Sequence, residues 1–127
     1  NGLVVPNVPD ADKKSLTEIS SEVKELAELA RSGKLPMERL HGGTFTITNL
    51  GMYGIESFSP IINQPEMAIL GVCAMQDKPV VVDGQITVRT MMNMCLTADH
   101  RVVDGALAAQ FLHRVKTLME NPALMLA

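Results

Sequence analysis

Three histidines, two cysteines and a series of threonines are the side chains of this sequence best equipped for chemistry, and their surroundings separate them. His100 directly follows the apolar run from Met91 to Ala98 and sits in Asp99-His100-Arg101-Val102-Val103-Asp104-Gly105, a polar break before an amphipathic stretch. A histidine at a strand end, on a turn before a helix, is held by the scaffold and can face a cleft. Its imidazole exchanges a proton near neutral pH, as a general base must. On residues alone, a capping or hydrogen-bonded histidine is an equal alternative. His41, before Gly42-Gly43, reads as a surface histidine, and His113, among Phe111, Leu112 and Val115, as a helix-face one.

Other chemistries fail on spacing. His41, His100, His113, Cys73 and Cys95 form no short ligand pair of the zinc type, so no metal site is expected. Cys95 and His100 lie five residues apart on extended chain, about 16 Å, too far for a nucleophile and its base. Neither Gly42-Gly43 nor Gly51 with Gly54 belongs to a phosphate-cradling motif. Met91, Met92 and Met94 read as core filler.

The elements that must position these residues follow from pattern. Gly2 to Val5 reads as a short buried strand ended by Pro6 and Pro9. Ser15-Leu16-Thr17-Glu18 has capping-box spacing, Leu16, Ile19, Val23, Leu26, Ala27 and Ala30 recur at helical intervals, and Gly33 closes the helix. Thr44-Phe45-Thr46-Ile47-Thr48 alternates as a strand with one wet or ligand-facing side, followed by a tight loop over Asn49 to Gly54. Met67 to Val72 is a further strand. Val80 to Val82 and Gln85 to Val88 flank Asp83-Gly84, a hairpin signal, and Met91 to Ala98 is the last strand. Ala106 to Met119 is a second helix, stopped at Asn121-Pro122. The order predicts an α/β fold, a mixed sheet with helices packed on it.

The 127 residues fit one domain, and 46% hydrophobic against 20% charged residues indicates a globular chain. A net charge of -3 without a basic run, and an aromatic share of 3%, argue against nucleic acid as a partner. No apolar run approaches the length of about 18 residues that a membrane span needs, so no membrane partner is expected. Cys73 and Cys95, on apolar segments, are expected as buried reduced thiols, which points to a reducing compartment. The sequence opens on Asn1 rather than Met, so a longer natural chain is expected.

His100 to Gly105 fits the His-x-x-x-Asp-Gly motif of the dihydrolipoamide acyltransferases, the core components of 2-oxo acid dehydrogenase complexes, a motif shared with the chloramphenicol acetyltransferases. Three further segments resemble the same family, in its order: Asn1 to Pro6, Gly42 to Gly51 and Asn63 to Val72. The resemblance covers residues 1–127 and implies a chloramphenicol-acetyltransferase-like fold, of which this chain resembles the C-terminal part, without lipoyl or peripheral-subunit-binding modules. It implies acyl transfer, acetyl in the pyruvate-type branch that the Gly51 to Ile55 region is most like. The acyl group moves between coenzyme A, a substrate, and the dihydrolipoyl group of a separate lipoyl domain.

The resemblance also assigns roles. His100 falls on the catalytic histidine, Thr48 on the Ser or Thr that stabilises the tetrahedral oxyanion, and Asp104 on the motif's acidic position, where the family residue orders the loop. The residues alone leave alternatives open, since Thr48 also reads as a strand threonine paired across a sheet and Asp104 as a helix N-cap. Asp99 and Arg101 read as solvated charges, with an ion pair as the alternative, and are assigned no chemistry. As partners the resemblance implies a homotrimer with its active site between neighbours, within a cubic or dodecahedral core, together with 2-oxo acid dehydrogenase and dihydrolipoamide dehydrogenase components. The apolar end 123–127 fits a buried contact of that kind. The implied compartment is bacterial cytoplasm or mitochondrial matrix. A catalytically silent core subunit and an antibiotic O-acetyltransferase are the alternatives. Retention of both His100 and Thr48 counts against the first, and the Gly42 to Ile47 and Asn1 to Pro6 segments against the second.

Overall fold

The computed structural model describes residues 2–125, which divide into two compact units, 2–44 and 45–125. The first unit is built around helix α1 (Leu16–Arg31). Its start is the capping box predicted: the Ser15 hydroxyl accepts from the Glu18 backbone N–H, and the Glu18 carboxylate accepts from Ser15 N–H at 2.7 Å. Gly33, at φ +68°, ends it. Glu22 is clamped by Lys14 and by Arg39 at 2.7 Å, and these two cations hold its carboxyl below the usual carboxylate range.

One expectation in this unit needs correction, and two terminal ones are limited by the described residues. Gly2 to Val5 is neither strand nor buried, and Leu3 is 92% exposed. No strand pairs with this segment among the described residues, and an extended chain without a ladder neighbour has nowhere to place its backbone hydrogen bonds except in water. Asn1 lies outside the described residues, as do Leu126 and Ala127 of the apolar end; Leu124 and Met125, which are described, are about half exposed.

The second unit holds a three-stranded sheet in the order β1 (Thr46–Asn49), β2 (Ala68–Val82), β3 (Gln85–Ala98). β1 runs parallel to β2, and β2 antiparallel to β3, so the sheet is mixed as predicted. The four strand segments expected after residue 66 merge into two, because the Asp83-Gly84 turn joins two continuous strands of 15 and 14 residues. Asp83 (φ 50°) and Gly84 (φ 75°) both take the left-handed conformation a two-residue turn requires. A bulge interrupts the ladder, with Val72 opposite Met94 but Met75 opposite Met92.

The polarity of β1 is the reverse of the expected pattern. Thr46 is buried and Ile47 is 66% exposed. Burial of Thr46 is tolerated because its hydroxyl donates to Glu66 Oε2 at 2.6 Å, while the Asn63 amide donates to Glu66 Oε1 at 3.1 Å. Helix α2 (Gly105–Glu120) packs on the sheet's own unit, with the Phe111 ring 5.6 Å from that of Phe45. No helix among the described residues is long and apolar enough to cross a membrane.

Candidate active site

His100 stands on a turn that is fastened at every step. Asp99 N–H donates to the Met67 carbonyl at 2.8 Å, which ties the end of β3 to the start of β2. The Asp99 carbonyl accepts from Val102 and Val103 N–H, both at 3.0 Å. The Asp99 carboxylate accepts the Arg101 backbone N–H at 3.0 Å and grips its guanidinium, Nη2 to Oδ2 at 2.6 Å. These Arg101 hydrogen bonds lower the Asp99 carboxyl to about 2 and raise the Arg101 guanidinium. Asp99 and Arg101 are therefore a local bidentate pair rather than two independently solvated charges.

Asp104 then starts α2. Its carboxylate accepts Leu107 N–H at 2.9 Å, the N-cap geometry that is one of its two predicted readings. It makes no hydrogen bond to His100 among the described residues. Capping fixes the first turn of α2, where Gly105, Ala108 and Ala109 join Leu96, Ala98, His100, Val103 and Leu112 around a cleft of about 330 Å³. A methyl group placed on Gly105 would stand 3.8 Å from His100 Nε2, so Gly105 lies directly beside the imidazole. Glycine leaves Nε2 open to the cleft. Sequence reasoning missed the small residues of α2; their grouping as Gly105-Ala106 and Ala108-Ala109 was the available signal.

Thr48 is elsewhere. In the ladder Ile47, Leu70 and Leu96 are register partners, as are Thr48, Gly71 and Cys95. Neighbouring rows of a sheet point to opposite faces. Leu96 lines the His100 cleft, so the Thr48 row faces away from it, towards the side where the Phe58 ring lies over Gly71. A methyl on Gly71 would come within 2.7 Å of that ring, so any side chain there would displace Phe58. Two strand spacings and five residues along the strand put Thr48 and His100 about 15–20 Å apart. One chain does not bring them together.

The loop after Thr48 is fixed as firmly as the His100 turn. Asn49 Oδ1 accepts Gly51 N–H at 2.8 Å, Leu50 N–H donates to the Val72 carbonyl at 3.1 Å, and Ala74 N–H donates to the Ile55 carbonyl at 2.8 Å. A Cβ on Gly51 would collide with the Cys73 carbonyl at 2.6 Å, so this close approach also needs glycine. The Thr48 hydroxyl has no hydrogen-bond partner among the described residues, unlike that of Thr46 two residues earlier. Thr48 is paired across the ladder with Gly71, as its alternative reading has it, without a side-chain hydrogen bond among the described residues.

A second cleft of about 370 Å³ is bounded by Ile62, Gln64, Pro65, Glu66, Asp99 and Arg101. Its one cation, Arg101, is already neutralised by Asp99. Among the described residues no group of three or more His, Cys, Asp or Glu could hold a metal ion.

The family model for 2-oxoacid dehydrogenases acyltransferase (catalytic domain) matches residues 1–127, and the chain belongs to this family. It is 51% identical over 126 residues to the dihydrolipoyllysine-residue acetyltransferase component of pyruvate dehydrogenase complex of Rickettsia felis, covering 99% of this chain and 31% of that protein. It is 53% identical over 121 residues to the dihydrolipoyllysine-residue succinyltransferase component of 2-oxoglutarate dehydrogenase complex of Bartonella vinsonii subsp. berkhoffii, covering 95% and 29%. Among solved structures, the dihydrolipoamide acetyltransferase of Azotobacter vinelandii matches with a TM-score of 0.94 at 44% identity. The cubic core of the pyruvate dehydrogenase multienzyme complex matches with a TM-score of 0.94 at 43% identity. Both cover 99% of this chain and 52% of the solved chain. The chain thus spans about a third of the curated relatives and half of the solved chains it matches.

Proposed function

We propose that this chain carries acetyl transfer between coenzyme A and the dihydrolipoyl group of a lipoyl domain, with His100 as general base and a Thr48 hydroxyl as oxyanion donor. The observation that carries the reading is the His100 corner: an imidazole on a locked turn, its Nε2 kept open by Gly105, in a chain that matches the acyltransferase family throughout. Spacing supports the assignment. The study of the Azotobacter vinelandii enzyme concerns a serine, a histidine and an asparagine in its catalytic mechanism, the histidine 52 positions after the serine and four before the asparagine. Thr48, His100 and Asp104 stand at the same intervals. Asparagine and aspartate are equally good N-caps, which fits a supporting role for Asp104.

A thiol with a pKa of about 8.5 is mostly protonated at neutral pH, and the thiolate is the nucleophile. His100 Nε2 takes the thiol proton, the sulfur attacks the thioester carbonyl, and the tetrahedral oxyanion accepts a hydrogen bond from a threonine hydroxyl. Collapse expels the second thiolate, which recovers the proton from His100. Because Thr48 and His100 point to opposite sides of one chain's sheet, we assign the two groups of each site to neighbouring copies. Exposed apolar side chains on the sheet, Ile47, Val81, Ile86 and Val88 among them, suit burial in such an assembly. A trimer-based core of the pyruvate dehydrogenase type, served by lipoyl domains and the dehydrogenase components, is the corresponding partner set.

The test is acetyl transfer from acetyl-coenzyme A to dihydrolipoamide by the full-length assembled protein. His100→Ala is expected to lower turnover about 10²–10⁴-fold with coenzyme A binding retained; normal turnover would remove His100 from the mechanism. The 53% identity to a succinyltransferase favours one second reading, succinyl in place of acetyl. Succinyl-coenzyme A in the same assay separates the two by the ratio of kcat/KM.

A further inference from the structure

The chain has two cysteines, 22 positions apart in sequence, and the fold brings their sulfurs to 3.8 Å. Gly71 pairs with Cys95, and Cys73, two residues further along β2, projects from the same sheet face. The bulge falls at this point, between Val72 and Met75, where the ladder is already loosened. Both thiols are free. Their settings differ: Cys73 is buried, while Cys95 is only partly covered and has the Ser57 hydroxyl 3.8 Å from its sulfur, within reach to donate to a thiolate.

We propose that Cys73 and Cys95 are an oxidative modification site, a dithiol that a peroxide converts to an intrachain disulfide. Cys95 is the attacking sulfur, because it is the more accessible of the two and its anion finds donors. The Phe58 backbone N–H, Ser57 and Cys73 lower its pKa, whereas burial raises that of Cys73. The Cys95 thiolate attacks hydrogen peroxide, the O–O bond breaks, and Cys95 sulfenic acid and one water form after uptake of a proton. The Cys73 sulfur then attacks the sulfenic sulfur and displaces a second water. Two electrons pass from the thiol pair to the peroxide, and two thiols plus one peroxide give one disulfide plus two waters. Closing the contact to a bond of about 2.05 Å moves the sulfurs together by about 1.8 Å, a displacement that the bulge can share.

The experiment is thiol mapping on the full-length protein after graded hydrogen peroxide, with alkylation, digestion without reductant and mass spectrometry. A Cys73–Cys95 linked peptide, two hydrogens lighter than its parts and separated again by dithiothreitol, is expected. In Cys73→Ser, Cys95 should accumulate as a dimedone-reactive sulfenic acid, and in Cys95→Ser, Cys73 should stay alkylatable. Full alkylation of both wild-type thiols after a dose that oxidises free cysteine would overturn the proposal. So would Cys73 oxidation that proceeds equally fast without Cys95.

Discussion

At the His100 corner the chain completes its own surroundings, whereas along the Thr48 strand it leaves one side open. Asp99, Arg101 and Asp104 saturate the turn with hydrogen bonds, and α2 builds a cleft for the imidazole. β1 is four residues long, bonded to β2 along one edge, with Ile47 largely exposed and the Thr48 hydroxyl unengaged among the described residues. In the proposed reading, local chemistry holds the His100 imidazole in place, and Thr48 is left to a group outside this chain. The contrast explains how a site can depend on assembly without losing the rigidity that acyl transfer needs.

Substitutions can break each side of that contrast. After His100→Ala, the largest effect belongs to Thr48→Val, which keeps the shape and removes the donor. It should lower kcat about 10²–10³-fold and leave coenzyme A binding near wild type. Equal losses in kcat and binding would assign Thr48 to substrate positioning instead. Asp104→Ala removes a cap and should cost about 1 kcal/mol of stability, read as a shift in denaturant midpoint. Its activity should fall less than that of either Thr48→Val or His100→Ala, and be partly restored in Asp104→Asn. A loss as large as that of His100→Ala, with stability intact, would show direct participation.

The smallest effect concerns pH. Asp99 is lowered from 3.8 to about 2 by Arg101, so its pairing stabilises the folded state above the ordinary carboxylate range. That contribution is lost as pH falls through about 2, when the folded-state carboxylate takes up its proton. Asp99→Asn should flatten the acid limb of the stability curve below about pH 4 and leave the slope at neutral pH unchanged. An unchanged acid limb would mean that the turn is held without the ion pair.

Local signals were the legible part of this sequence. The Ser15/Glu18 capping box and the Asp104 cap depend on side chains within three residues of the backbone they satisfy, and the Asp83-Gly84 turn on the local backbone conformation of its two residues. Non-local outcomes were hidden. Nothing in Thr44 to Thr48 reveals that Glu66, twenty positions on, would accept the Thr46 hydroxyl and turn the threonine row inward. The strand expected at Gly2 to Val5 has apolar pattern but no ladder neighbour among the described residues, and pattern cannot supply a neighbour. Family likeness singles out His100, Thr48 and Asp104 as candidates. Their separation across two sheet faces was not legible, because facing depends on register between strands, which spacing in one strand does not encode.

The division of the site between copies is tested most directly by complementation. Full-length Thr48→Val and His100→Ala chains, each nearly inactive alone, are unfolded together, reassembled as mixed oligomers and assayed for acetyl transfer. If each site takes His100 from one copy and Thr48 from its neighbour, an equal mixture recovers about a quarter of wild-type turnover, since one site in four unites two intact groups. Activity no greater than that of the two parents, in oligomers shown to be mixed, would place both groups in one chain and contradict the account.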